Sequence, residues 1–161
     1  MKTLFVLRHG QAIPESEAGS DHARELTLRG QAEAQRAAES LLERANPPTL
    51  ILSSSATRAR QTAEACRLVL GGKAELKLVD GLYLAEPEPY LTALGQRAEP
   101  HSGVMVVGHN PGLEALIYVL SQRSEHLATA SLVEITLPIS GWVELSGPAL
   151  GTGDIAHTFR A

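Results

Sequence analysis

One cysteine in 161 residues, Cys66, excludes an internal disulfide and a thiolate metal cluster. Its setting, TAEACRLVL on an expected helix, is that of a small core residue. Basic residues are not in surplus: 14 Lys and Arg against 18 Asp and Glu leave a formal net charge of −4. A nucleic-acid partner calls for a basic balance or a long Lys/Arg stripe, so none is expected. No apolar run approaches the ~20 residues that cross a bilayer. The start, MKTLFVLRHG, lacks the long apolar region and small-residue cleavage site of a secretory signal. The expectation is a cytoplasmic protein with no membrane partner. Linkers, repeats and low-complexity tracts are missing, and 43% hydrophobic with 20% charged residues is ordinary for a globular chain. The length suffices for one sizeable core, so 1–161 is read as a single domain.

Four apolar, branched-rich runs are present and read as strands: TLFVL (3–7), TLILS (49–53), ELKLV (75–79) and GVMVVG (103–108). Helical stretches lie between and after them. The first, 26–45, has Thr27 as its N-cap and is ended by Pro47 and Pro48; the second, 56–72, stops at Gly71 and Gly72. Two more are expected over 87–98 and 110–122, the last with Asn110 as N-cap and Pro111 in its first turn. Strands alternating with helices predict an α/β domain with a mainly parallel sheet. Beyond residue 130, SLVEITLP and SGWVELSG read as a hairpin at the sheet edge, and GTGDIAHTFRA as a loosely ordered tail.

Two junctions carry chemistry. FVLRHGQ and MVVGHNPG each run an apolar strand into a histidine, His9 and His109, followed by a turn-forming residue. In open α/β sheets ligands bind at the carboxyl ends of the strands, so two parallel neighbours would bring both imidazoles to one edge. The helix expected after His109 turns its free N–H groups toward that edge, which favours an anion. Arg8 adds a fixed charge beside His9. Arg58, in SSSATRARQTAE, falls in a helix's first turn, where a cation opposes the dipole and needs an anionic partner. Arg60, two positions on, points elsewhere. Arg8 and Arg58 together can clamp a phosphate. Two arginines and no adjoining acidic residue exclude a metal site here. The constellation suits phosphoryl transfer through a neutral imidazole, with guanidiniums stabilising the equatorial oxygens.

RHG after the first strand, RARQTA after the second and VVGHNPG after the fourth resemble the histidine phosphatase superfamily, which includes the phosphoglycerate mutases. ELTLRGQAEA, LYLAEPEPYL and VVGHNPGLEAL look closest to its SixA-type phosphohistidine phosphatases. The resemblance implies a three-layer α/β/α sandwich with a mainly parallel mixed sheet, no metal or other cofactor, and His9 as the phosphorylated nucleophile. Arg8, Arg58 and His109 would complete the phosphate pocket, with Gln11 and Asn110 as further substrate contacts. Larger members place an acid after the third strand. Here Asp80, Glu86 and Glu88 are the candidates, and none fits the fuller pattern. The substrate implied is a phosphohistidine protein. The alternatives are a small phosphomonoester, or a non-catalytic phosphate-binding or protein-interaction module. His101, His126 and His157 read as surface residues, His22 sits in a loop able to overhang the site, and Tyr83 and Tyr90 belong to the rim or the core.

Overall fold

In a computed structural model that describes residues 1–161, the apolar runs form strands of one sheet. The strands are β1 (Lys2–Arg8), β2 (Leu50–Ser54), β3 (Glu75–Val79), β4 (Gly103–Gly108), β5 (Leu132–Leu137) and β6 (Asp154–Phe159). Their spatial order is β3-β2-β4-β1-β5-β6. β1, β4, β2 and β3 run parallel; on the β1 side β5 pairs antiparallel with β1, and β6 antiparallel with β5. The helices are α1 (Glu15–Ala18), α2 (Leu28–Ser40), α3 (Thr57–Val69), α4 (Pro87–Arg97) and α5 (Gly112–Ser121).

Alternation of side chains across the strands creates two cores. Leu4, Val6, Leu50, Leu52, Val104 and Val106 face α4, α5 and Trp142. Phe5, Leu7, Ile51, Met105 and Val107 face the alanine-rich sides of α2 and α3, where Cys66 is buried as expected. This is the expected three-layer α/β/α architecture. Thr27 caps α2, its Oγ1 accepting the Gly30 N–H at 3.0 Å, and left-handed Gly71 and Gly72 end the turn after α3. No helix is long and apolar enough to cross a membrane.

Three expectations need correction. SGWVELSG is not a strand: Trp142–Ser146 is a 3-10 turn that buries Trp142 and Leu145, three residues apart and therefore on one face. The hairpin partner of β5 is instead β6, in the segment expected to be a tail. Ile155 and Phe159 of β6 pack against the two cores. Asn110 does not cap α5. Its Nδ2 donates to Glu114 Oε1 at 2.8 Å and to the Leu127 carbonyl at 2.9 Å, and the helix starts at Gly112.

Candidate active site

The register of β1 against β4 builds the site. Arg8, the last residue of β1, pairs with Gly108, the last of β4. The next residues, His9 and His109, therefore leave the same sheet edge side by side, with ring centroids 5.2 Å apart. The junctions are kept tight by backbone contacts: His9 N–H donates to the Gly108 carbonyl at 3.2 Å, and Gly10 N–H to Thr62 Oγ1 of α3 at 3.1 Å. Gly10 and Gly30 lie where α2 meets the β1 loop. A Cβ on Gly30 would run into the Gln11 carbonyl.

His9 is 8% exposed and His109 2%. His9 Nδ1 lies 2.7 Å from the Gly10 carbonyl, an acceptor only, which places the ring proton on Nδ1. Nε2 then keeps its lone pair and receives Arg58 Nε–H at 3.3 Å. Burial, reinforced by the Arg58 and Arg8 charges, pushes the His9 pKa down to about 4. His109 is pushed down to about 3, by burial first and then by His9 and Arg58. Ser54 Oγ, on the last residue of β2, accepts the Ala56 N–H and lies 2.8 Å from His109 Nε2. His109 Nδ1 is buried and has no protein partner.

Arg58 reaches the His9 ring, and Arg8 lines the same cavity. Arg58 is 2% exposed and is paired with Asp21, a carboxylate that the sequence reading did not single out. Nη1 donates to the Asp21 carbonyl at 2.8 Å and Nη2 to Oδ2 at 3.1 Å. Arg8 Nη1 donates to the Leu127 carbonyl at 2.9 Å, while its buried Nε has no partner. Arg60 turns outward to Glu64. Gln11 is oriented by the α2 cap. Thr27 Oγ1 already accepts from Gly30, so its proton goes to Gln11 Oε1 at 2.8 Å, leaving the amide N–H groups free. Asn110 reaches the cavity with its Oδ1 unpartnered.

These side chains enclose a cavity of about 370 Å³, lined also by Ala12, Asp21, Arg24, Leu84 and Thr129. Asp80, Glu86 and Glu88 do not reach it. All three are exposed, and the two glutamates line a different cleft beside α4. No group of His, Cys, Asp and Glu is arranged to hold a metal ion. Tyr90 is fully buried, its hydroxyl 3.4 Å from the His109 N–H. Tyr83 stands at the rim, edge-on to His109 at 5.6 Å and to exposed His22 at 4.8 Å. His126 is exposed as expected, but His101 and His157 are half-buried, His101 Nδ1 lying 2.8 Å from Thr49 Oγ1 and His157 within β6. Sequence reasoning missed Asp21, Arg24 and Thr129. Asp21 had a signal, the uncompensated Arg58 at the head of α3; the other two had none.

What the arrangement can do follows from its parts. A neutral imidazole whose lone pair is on Nε2 can attack phosphorus, two guanidiniums and unpaired N–H donors can hold phosphoryl oxygens, and no protonated carboxyl is at hand.

Residues 4–83 match the model of the histidine phosphatase superfamily, branch 1. An uncharacterized chloroplastic protein of Arabidopsis thaliana is 30% identical over 159 residues, covering 91% of this chain and 73% of that one. An uncharacterized protein of Mycobacterium tuberculosis is 35% identical over 139 residues, 84% of this chain and 83% of the relative. Among solved structures, the "putative phosphohistidine phosphatase SixA from Agrobacterium tumefaciens" superposes with a TM-score of 0.81 at 27% identity, covering 99% of this chain and 98% of that one.

Proposed function

Because this chain belongs to the histidine phosphatase superfamily, branch 1, we propose that it hydrolyses phosphohistidine on a protein, through phosphorylated His9 and without a metal ion. The observation that carries this reading is the state of the His9 ring. Nδ1 is committed to the Gly10 carbonyl at 2.7 Å, which leaves the lone pair on Nε2, where it accepts Arg58 Nε–H at 3.3 Å. A buried imidazole fixed in this tautomer needs no base to become a nucleophile.

In the first step the Nε2 lone pair forms a bond to phosphorus as the substrate's P–N bond breaks. The departing imidazole keeps the bonding pair and leaves as a neutral ring when its other nitrogen carries a proton. Arg8 and Arg58 hold the phosphoryl oxygens, helped by His109 and the Gln11 amide. In the second step water attacks phosphorus, the Nε2–P bond breaks, its pair returns to Nε2, and the water's proton goes to solvent or phosphate.

Two observations favour phosphohistidine over an alcohol phosphate. An alkoxide leaving group needs an acid, and the cavity's one carboxyl, Asp21, is held as a carboxylate by Tyr83 and by Arg24 and Arg58. The Agrobacterium neighbour, similar over nearly the whole chain, is described by the same activity. The test is a panel of phosphohistidine proteins and phosphomonoesters, run with Asp80→Asn, Glu86→Gln and Glu88→Gln. Phosphohistidine turned over fastest and equally by all three variants is expected. Preference for a sugar or nucleotide phosphate, with one variant strongly impaired, would select the small-molecule phosphatase instead.

A further inference from the structure

We propose that Asp21 is a positioning residue of this site, one that aims Arg58 at the reacting nitrogen; its kinetic consequence rests on the phosphohydrolase reading above. A guanidinium is a rigid planar fork, so tying two of its corners fixes the direction of the third. Asp21 ties both: Nη1 donates to its backbone carbonyl at 2.8 Å and Nη2 to its Oδ2 at 3.1 Å. The remaining donor, Nε–H, then points at His9 Nε2, 3.3 Å away. A phosphoryl group arriving at Nε2 meets that N–H where charge develops on its oxygens.

Asp21 is itself fixed from several directions. Its Oδ2 accepts the Tyr83 hydroxyl, and its Oδ1 accepts Arg24 Nη1 at 3.1 Å. Arg24 is anchored in turn, Nε donating to the Ile13 carbonyl at 2.7 Å. The carbonyl of the next residue, His22, accepts the Thr57 N–H at the head of α3 at 3.0 Å. The loop carrying the carboxylate is thus pinned to the helix carrying the arginine, and the carboxylate offsets a cation that opposes the α3 dipole.

Two other roles are less compatible with these contacts. A proton donor would have to be protonated, and the hydrogen bond from Tyr83, with those from Arg24 and Arg58, holds Asp21 well below the usual carboxylate range. A plug displaced by phosphate would be loosely held, whereas Tyr83, Arg24 and Arg58 all grip this carboxylate.

The experiment compares Asp21→Asn and Tyr83→Phe, each alone and combined with Arg58→Ala, by steady-state kinetics, with inorganic phosphate binding followed calorimetrically for the single variants and thermal unfolding checked throughout. Asp21→Asn should lower kcat/KM about 30-fold, mostly in kcat, yet change it by no more than about twofold once Arg58 is gone. Phosphate affinity should fall about tenfold in the same variant. Tyr83→Phe should show the same pattern at smaller size, and serves as the readout if Asp21→Asn does not fold. An equal loss with and without Arg58 would overturn the proposal, since Asp21 would then act on substrate itself. Tighter or unchanged phosphate binding would overturn it too, because a competitor or a bystander would give that result. Phosphate binding needs no turnover, so the aiming role is tested even if no substrate is hydrolysed and the functional reading fails.

Discussion

At the scale of single residues, Arg58 and Arg60 are the sharpest contrast. They lie two positions apart on α3, about 200° around the helix, and the structure sends one into the cavity and the other to Glu64 on the surface. Arg58→Ala removes a charge-assisted donor from the transition state and should cost about 10²–10³ in kcat/KM. Arg60→Ala gives up only an exposed helix pair and should stay within about twofold. Equal effects would mean that the cavity is not where phosphate reacts. The two imidazoles set a pH dependence. Folded His9 and His109 hold pKa values near about 4 and about 3, against 6.5 for the unperturbed group. Between those values the unfolded chain binds more protons than the folded one, so stability falls as pH drops through that window. Thermal unfolding should therefore shift downward from pH 6.5 to 4, and less steeply in His9→Asn. An identical slope in the variant would show that His9 does not stay neutral in the folded chain.

Among the elements, the parallel β1–β4 pair does most to create the site, and it was the most legible part of the sequence. An apolar run that ends in a histidine announces both the strand and the residue at its tip, so Arg8, His9 and His109 could be placed without coordinates. Asp21 and Thr129 could not, because their loops are brought to the cavity by contacts distant in sequence, such as Thr129 with Glu33 of α2. The same limit explains β6: its alternation of Ile155, His157 and Phe159 is weak, and only pairing with β5 makes it a strand. The end of β4 offers a test of how firmly the elements hold the site. A Cβ on Gly108 would come far closer to the fully buried Tyr90 hydroxyl than van der Waals contact allows. Gly108→Ala should lower stability by about 1–3 kcal/mol through overpacking and lower activity further than that loss explains, because His109 follows directly. Stability loss with unchanged kcat/KM would show that the strand tip is not a rigid mount.

Across the whole molecule, a chain of net charge −4 gathers Arg8, Arg24 and Arg58 around one small cavity. On the proposed mechanism, that local positive field would supply the charge neutralisation for which other phosphoryl-transfer sites use a cation. Turnover should accordingly be unchanged in excess EDTA; loss of activity restored by a divalent ion would contradict the electrostatics proposed here. On the proposed mechanism the phosphoryl group passes through His9 Nε2. Phosphohistidine is acid-labile, so the enzyme should be mixed with substrate, quenched at neutral or alkaline pH within the first turnover, digested and mapped by mass spectrometry. A single phosphorylated histidine, His9, should appear before free phosphate and be missing from His9→Ala, which should be inactive. Phosphate on His109 instead, or steady turnover by His9→Ala, would contradict this mechanism.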